Sequence, residues 1–252
     1  MTTLQPIIDL NADLGEGLES DDELLAVVSS ASIACGGHAG DPQTMRRVLA
    51  ACRDRGVRAG AHPGYVDKRN FGRLRLVMPM DQLLAQIRSQ LILIRHVAAE
   101  TGTGLAYVKL HGALANETAE QLAFAVAIFA TVQAMDPKLA VLALDNSEQV
   151  RAANAVGVPA IREAYADRAY TAEGLLLARG LPGAVLEDPA EVVERCLRLA
   201  KHGEIEAIDG SVFRSAARSV CLHGDTPGAV AMAHAVRQAL EAAGVTIAPV
   251  SA

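Results

Sequence analysis

Four of the seven histidines in this chain follow short apolar runs that are typical of strands, and glycine or polar residues come next. They are His38 in Cys-Gly-Gly-His, His62 in Gly-Ala-His-Pro-Gly, His111 in Lys-Leu-His-Gly and His223 in Leu-His-Gly-Asp. Imidazole exchanges protons near neutral pH and also binds metal ions. The carboxyl ends of parallel strands lie on one rim of a sheet, so we expect these histidines to share an enzyme active site.

An acidic segment near the start of the chain supplies a counterpart. Asp9, Asn11 and Asp13 alternate with apolar residues, so in a strand all three point the same way. Charge on an inward face is costly unless that face opens at the rim. We therefore predict that Asp13 is catalytic and that Asn11 contacts the substrate. A turn-capping Asp9 and a salt-bridged Asp13 are the structural alternative.

Lys109 and His111 are two residues apart, so one strand would direct both side chains the same way. A lysine inside a buried parallel sheet is costly unless it is paired or catalytic. We predict a catalytic group made of Asp13, His62, Lys109 and His111, with a purely structural ion pair as the alternative for Lys109.

Six further positions are predicted to bind substrate. Arg73, on the loop after His62, suits a carboxylate through two parallel hydrogen bonds, although it could equally be a solvated arginine. The glycine pair before His38 allows a close ligand approach at a helix start, or forms an ordinary turn. The full set of predicted substrate contacts is Asn11, His38, Arg73, Arg168, His223 and Asp225.

Motifs for other chemistry are weak or absent in the sequence. Asp13, His38, His62 and His111 are of the right type to bind zinc, but no H-x-x-x-H or H-E-x-x-H spacing is present, so the metal stays unknown. Neither a phosphate-binding glycine loop nor a G-x-S-x-G nucleophile turn occurs. We interpret Cys35, which lies near His38, as a packing residue.

Composition restricts the class of protein. The 252 residues are 51% apolar, and we predict one domain spanning residues 1–252. Aromatic residues make up 3%, tryptophan is absent and the net charge is −6 without a basic run, which argues against a nucleic-acid partner. With no signal-like or membrane-length apolar run and four cysteines without C-x-x-C spacing, we expect a cytoplasmic protein with no membrane partner.

Strand-like and helix-like segments alternate along the chain, which predicts a parallel sheet and favours a closed barrel over a doubly wound open sheet. Helix starts are predicted at Asp41-Pro42, Asp188-Pro189 and Thr226-Pro227, and a long helix at Asp81–Glu100. The long loops 63–80 and 165–186 are expected to be functional. The predicted strands are Ile7–Asn11, Ser32–Cys35, Arg58–Ala61, Ala106–Leu110, Ala140–Leu144, Ala160–Ala164 and Ser219–Leu222.

Seven ordered motifs resemble the LamB/YcsF lactam-utilisation family, to which the first of the three 5-oxoprolinase components belongs, between about residues 7 and 247. The motifs are DLNADLGEG (9–17), SASIACGGHAGDP (30–42), GAHPGY (60–65), NFGR (70–73), VKLHGAL (108–114), ADRAY (166–170) and VCLHGDT (220–226). The resemblance implies a (β/α)7-type distorted TIM-like barrel related to the polysaccharide-deacetylase fold. It also implies ATP-dependent cleavage of the lactam 5-oxoproline to L-glutamate, with Mg²⁺ and partner subunits B and C. Because no nucleotide loop is present here, we expect the partners to bind most of the ATP.

The chain departs from the family pattern around Lys109. The family usually has histidine, proline and tyrosine where this chain has Tyr107, Leu110 and Ala115, and it tends to have proline at Val66. These departures bear on substrate range. Lys109, His111 and Asn116 are retained.

The function that we predict is ring opening of 5-oxoproline. Asp13, with His62 or His111, would deprotonate water, and Lys109 would stabilise negative charge on oxygen or phosphate. Arg73 or Arg168 would hold the substrate carboxylate. Two alternatives stay open: a stand-alone metal-dependent amide or acetyl hydrolase, and a non-catalytic lactam-binding subunit.

Overall fold

Ten strands frame the structure, a computed structural model that describes residues 6–226 and 228–252. Seven of them form the barrel, two form a hairpin and the last pairs with the first two residues of the first strand. In chain order these described strands are β1 (Ile7–Leu14), β2 (Ser30–Ala34), β3 (Arg58–His62), β4 (Leu105–Val108), β5 (Ala140–Leu144), β6 (Ala160–Tyr165), β7 (Glu204–Glu206), β8 (Val212–Arg214), β9 (Ser219–Leu222) and β10 (Thr246–Ile247).

The seven barrel strands are parallel and closed. They follow the order β1-β2-β3-β4-β5-β6-β9, and β9 returns to pair with β1. The residue pair Asn11 and Cys221 lies at this closure, and Glu163 on β6 pairs with Ser219 on β9. The predicted (β/α)7-type barrel is therefore confirmed, and the open doubly wound sheet is not formed.

Helices surround the barrel, and two of them begin at the predicted Asp-Pro signals. The Asp41 side chain accepts from Thr44 N at 2.8 Å, and Asp188 accepts from Ala190 N at 2.9 Å, each followed by proline in the first turn. The third predicted pair, Thr226-Pro227, includes Pro227, which lies outside the described residues. The described helices are α1 (Asp21–Leu24), α2 (Pro42–Arg55), α3 (Met80–Thr101), α4 (Gly112–Glu120), α5 (Leu122–Met135), α6 (Glu148–Val156), α7 (Pro189–His202) and α8 (Ala229–Ala242).

No single helix in the described ranges combines the length and apolarity that are needed to cross a bilayer. Taken together, α4 and α5 would meet that requirement, but they join at a bend of 120°.

The apolar core lies between the barrel and its helices, whereas the barrel interior is polar. Leu10 and Ile33 point outward and are fully buried in this core. On the alternate positions of β1, Asp9 accepts hydrogen bonds of 2.6–2.7 Å from three serine hydroxyls, those of Ser29, Ser30 and Ser219. The strand alternation thus aims Asp9, Asn11 and Asp13 inward, and Asp13 is the one closest to the open rim.

Candidate active site

The predicted catalytic residues meet at the carboxyl ends of β1, β3 and β4. His62 Nε2 lies 3.3 Å from Asp13 Oδ2, and His111 Nδ1 lies 3.0 Å from His62 Nε2. Lys109 Nζ lies 3.0 Å from Asp13 Oδ1. Side chains almost a hundred residues apart are thereby brought together because their strands all run in one direction.

Lys109 is enclosed beneath the site. Its ammonium lies 2.8 Å from Glu163 Oε1 and donates to Asn11 Oδ1 at 3.2 Å and to Cys221 Sγ at 3.0 Å. Burial lowers the pKa of Lys109, but Asp13, Cys221 and Glu163 outweigh burial and raise the pKa well above its ordinary value. Because the side chain does not reach the cavity described below, Lys109 positions Asp13. The predicted direct stabilisation of a substrate oxygen or phosphate by Lys109 stays a prediction.

A histidine cluster surrounds Glu16, which sequence reasoning did not assign to the site. Glu16 Oε1 lies 3.0 Å from His38 Nε2, 3.4 Å from His111 Nδ1 and 3.8 Å from His62 Nε2. The His38 ring stacks on His111 with centroids 3.6 Å apart and planes 4° apart. The signal that could have found Glu16 is the Gly15-Glu16-Gly17 turn directly after β1.

Backbone carbonyls fix the orientation of two of these imidazoles. His62 Nδ1 donates to the carbonyl of Lys109 at 2.9 Å, and His111 Nε2 donates to the carbonyl of Phe71 at 2.9 Å. Since a carbonyl oxygen only accepts, the protons on these nitrogens are assigned. In the neutral rings, His62 Nε2 and His111 Nδ1 therefore carry the lone pairs that face the cluster.

The loop after β3 covers the histidines. Gly72 has φ +62°, and a Cβ there would lie 2.7 Å from the Cβ of His38 and 3.1 Å from the His111 ring. Its carbonyl accepts from Ala113 N at 3.0 Å, and the Phe71 ring contacts both imidazoles edge-on. Glycine is therefore required where the loop passes over the site.

A cavity of about 300 Å³ opens above this group. Asp13, Glu16, His62, His111 and His223 contribute its proton-exchanging groups. Its other lining residues are Arg73, Leu110, Gly112, Ala113, Ala115, Asn116, Tyr165, Arg168, Leu176, Ala178, Arg179 and Gly180. Two of the departures from the family pattern, Leu110 and Ala115, thus lie on the cavity wall.

Arginines form a cationic side of this cavity. Arg73 donates to Asp225 Oδ2, and Arg179 Nη1 lies 3.3 Å from the same oxygen. Arg179 was not predicted as a site residue, because no motif in the long loop marks it as different from a solvated arginine. Arg168 also lines the cavity, but its guanidinium donates to the carbonyls of Leu177 and Ala184. Arg73 and Arg179 are thus the arginines better placed to bind an anionic ligand.

His223 lies on the cavity wall with its ring held from behind. His223 Nδ1 donates to Asp167 Oδ1 at 2.8 Å, and Thr226 donates to the second Asp167 oxygen at 2.9 Å. The ring stacks on Tyr165 with centroids 5.3 Å apart. This arrangement leaves His223 Nε2 for proton exchange with a ligand.

Burial and close charges shift the titration of the central groups. Burial raises the pKa of Asp13, but His62 and Lys109 together hold it well below its ordinary value. Burial lowers the pKa of His62, whereas the Asp13 carboxylate outweighs burial and raises it. Burial lowers the pKa of His38 to about 2, and burial with the Asp13 charge raises the pKa of Glu16 to about 7.

Most predicted site residues border the cavity, but three lie beneath it. Asn11 and His38, predicted to touch substrate, do not line it. Asn11 lies deeper in the barrel and donates to Glu163 and Ser219, and His38 is covered by the loop and the His111 ring. Asp225 does not line the cavity itself but binds Arg73 and Arg179, which do. The third residue beneath the cavity is Lys109, whose ammonium is enclosed by Asp13, Glu163, Asn11 and Cys221.

A larger cavity, of about 590 Å³, lies beside α7 and the β7–β8 hairpin. Its charged lining includes Glu191, Arg195 and Glu206, and none of the predicted site residues borders it. The smaller cavity is therefore the better candidate for the active site, because predicted site residues line it.

Known proteins resemble this chain over almost its entire length. A sequence profile of the LamB/YcsF family matches residues 8–252. A protein from Streptomyces coelicolor, named as the A component of 5-oxoprolinase, is 48% identical over 246 residues, which are 96% of this chain and 98% of that protein. The crystal structure of a lactam utilization protein from Thermus thermophilus matches with a TM-score of 0.89 and 35% identity, covering 96% of this chain and 98% of that one.

More distant structures share only the fold. A peptidoglycan deacetylase from Bacillus subtilis matches with a TM-score of 0.50 at 12% identity, covering 97% of this chain and 87% of that one. The predicted relation to the polysaccharide-deacetylase fold is therefore confirmed at the level of architecture.

Proposed function

Because the chain belongs to the LamB/YcsF family, we propose that it is the A component of a 5-oxoprolinase that opens 5-oxoproline to L-glutamate with hydrolysis of ATP. The names of full-length relatives at 43–48% identity support this assignment. The partners in this proposal are subunits B and C, and ATP enters with Mg²⁺. The proposed location is the cytoplasm, where ATP is available.

The observation that carries the proposal is that cationic and acid–base side chains line the same small cavity. Arg73 and Arg179 supply the positive charge, and Asp13, His62 and His223 supply the acid–base groups. The substrate 5-oxoproline needs both, because its small ring joins a carboxylate to a cyclic amide. The cavity volume of about 300 Å³ suits a ligand of single-amino-acid size.

The arginines are the substrate anchors in this proposal. Arg73 and Arg179 share Asp225, and a carboxylate would add an acceptor to the same pair. Arg168 contributes charge but keeps its hydrogen bonds to Leu177 and Ala184.

Ring opening requires one proton to be removed from water and one to be delivered to the ring nitrogen. Asp13 and His62, 3.3 Å apart at the cavity, form the pair that accepts the proton from water. His223, held by Asp167, donates to the departing nitrogen as the C–N bond breaks. Such acid–base steps each contribute on the order of 10²–10⁴ in rate.

ATP supplies the activation that a resonance-stabilised amide needs. Transfer of the γ-phosphoryl group of ATP to the amide oxygen releases ADP and makes the carbonyl carbon more electrophilic. Addition of water and cleavage of the C–N bond then leave an acyl phosphate, which a second water hydrolyses to L-glutamate and phosphate. Since the sequence has no glycine-rich phosphate loop, we assign most nucleotide contacts to the partner subunits.

Reconstitution tests the proposal. We expect glutamate release from 5-oxoproline only when this chain, both partner subunits and Mg-ATP are all present, and loss of that release in Asp13→Asn. Turnover by this chain alone without ATP would contradict the proposal and favour a metal-dependent amide hydrolase. If the complex binds the lactam but shows no turnover, the proposal is wrong and the chain is instead a non-catalytic lactam-binding subunit.

A further inference from the structure

The histidine cluster has the composition and geometry of a metal site. We propose that Glu16, His62 and His111 bind one divalent transition-metal ion, best matched by Zn²⁺, at the floor of the cavity. The three side chains offer one carboxylate oxygen and two imidazole nitrogens, a donor set that suits zinc and cobalt. The inference rests on these atoms and holds whether or not the chain is an oxoprolinase subunit.

The spacing of the donor atoms matches the edges of a coordination polyhedron. Ligands about 2.0 Å from a tetrahedral zinc ion lie about 3.3 Å from one another. Here His62 Nε2 and His111 Nδ1 are 3.0 Å apart, and Glu16 Oε1 lies 3.4 Å from His111 Nδ1 and 3.8 Å from His62 Nε2. An ion would therefore require shifts of only a few tenths of an ångström.

The ring protons of His62 and His111 lie on the outer nitrogens, so only hydrogen-bond acceptors of these two rings and Glu16 face one another. The carbonyls of Lys109 and Phe71 take the outer N–H groups of His62 and His111, so the inner nitrogens present lone pairs to one another and to Glu16. Such a group needs a proton or a cation between its members. The same outer hydrogen bonds are those that orient metal-bound histidines in other proteins.

His38 acts as a positioning residue for this site. Its Nδ1 is buried and has no hydrogen-bond partner among residues 6–226 and 228–252, so a proton there would be left unsatisfied. The proton therefore resides on Nε2, which donates to Glu16 Oε1 at 3.0 Å. This bond and the stacking on His111 hold two of the three ligands.

A second group of potential ligands nearby is unsuitable for a cation. Asp13, Cys221 and His223 lie close enough together, but the Lys109 ammonium is 3.0 Å from both Asp13 Oδ1 and Cys221 Sγ. An ammonium already occupies the position where a cation would be stabilised. The Glu16 cluster is instead adjacent to the other Asp13 oxygen, which lies 3.3 Å from His62 Nε2.

The site is open to ligands on one side. Glu16, His62 and His111 all line the cavity, so an ion held by these three would keep at least one position for water. A bound cation would take the lone pair of His62 Nε2 and would leave the Asp13 carboxylate as the group that accepts a proton from that water.

Metal binding by the tag-free full chain tests the proposal without any activity measurement. After removal of metal by a chelator, titration with ZnCl₂ is expected to reach one equivalent per chain by calorimetry and elemental analysis. With CoCl₂, d–d absorption without a thiolate charge-transfer band is expected. His62→Gln and His111→Gln should each abolish stoichiometric binding, and His38→Gln should raise the Kd about 10–100-fold.

The matched control is His96→Gln on α3, because this imidazole is 72% exposed and pairs with Glu100 on the helix surface. This variant should bind one equivalent of Zn²⁺, as the wild type is expected to do. Absence of stoichiometric binding by the wild type, or binding unaffected by the ligand substitutions, would overturn the proposal. If a histidine variant fails to fold, Glu16→Gln on the turn after β1 provides the same test.

Discussion

At the scale of single residues, Lys109 shows how this barrel stabilises a charge deep in its interior. The ammonium is compensated by Asp13 and Glu163, and the Asn11 amide supplies a further acceptor. Removing one member of a buried ion pair leaves an uncompensated charge, which costs more than the pair itself contributes. The Lys109 ammonium therefore both compensates the buried charge of Asp13 and fixes the orientation of its carboxylate.

Lys109→Met should lower the free energy of unfolding by about 3–5 kcal/mol, because two carboxylates would remain buried without their cation. Urea unfolding followed by circular dichroism measures this change. Adding Glu163→Gln to Lys109→Met should restore part of the loss, since one of the two uncompensated charges is removed. An unfolding free energy equal to that of the wild type would show that Lys109 is not a structural counter-ion.

Arg179→Ala should raise the KM for 5-oxoproline about 10- to 100-fold with a smaller change in kcat, because a charge-assisted hydrogen bond to the carboxylate is lost. Steady-state kinetics of the reconstituted complex give both constants. Arg69→Ala, an exposed arginine of the loop after β3, should leave both unchanged. Equal effects of the two substitutions would remove Arg179 from the substrate site.

At the scale of elements, the loop after β3 is held against the histidines by a glycine. Gly72 and Gly56, at the end of α2, both adopt a left-handed backbone, with φ of +62° and +68°. A Cβ at Gly56 would have nothing within 4 Å, whereas one at Gly72 would meet His38 and His111. The two positions therefore separate backbone strain from contact with the site.

Gly56→Ala should cost about 1–2 kcal/mol of stability from backbone strain alone and leave the reconstituted activity unchanged. Gly72→Ala should cost more than Gly56→Ala and also lower kcat, because the loop or the two imidazoles must move. Thermal unfolding and steady-state kinetics of the matched pair test this. The loop assignment fails if both variants lose the same stability and keep full activity.

The elements also show where sequence reasoning succeeds and where it stops. Lys109 and His111 could be placed together because the extended chain that continues β4 directs both side chains the same way. The strand β1 runs to Leu14, beyond the predicted Asn11, because it pairs with β2 that far. Glu16 and Arg179 could not be assigned, since turn and loop side chains have no periodicity that predicts where they point. The hairpin strands β7 and β8 have three residues each, too few for a recognisable alternation.

At the scale of the whole molecule, the closed barrel and its helices protect all four thiols. Cys35, Cys52, Cys196 and Cys221 are free and buried. Burial raises the pKa of Cys35, Cys52 and Cys196 to about 12, and it raises that of Cys221 well above the ordinary value. Thiolate is the reactive form, so little of it exists in the folded protein near neutral pH.

The native protein should consequently show almost no reaction with a thiol-specific disulfide reagent at about pH 8, and all four thiols of the chain should react after denaturation in guanidinium. Absorbance of the released thiolate measures both. Rapid reaction of one thiol in the folded protein would contradict the closed packing of the barrel at that residue.

The central claim is that side chains from separate strand ends act as one catalytic unit, and a double-mutant cycle in kcat tests it most directly. Asp13→Asn and His62→Gln, combined in the reconstituted complex, change residues 49 positions apart whose polar atoms are 3.3 Å apart. Folded variants are first verified by circular dichroism. The double variant is expected to lose little more kcat than the worse single variant. Losses that simply multiply, or an unchanged kcat in either single variant, would contradict the central claim.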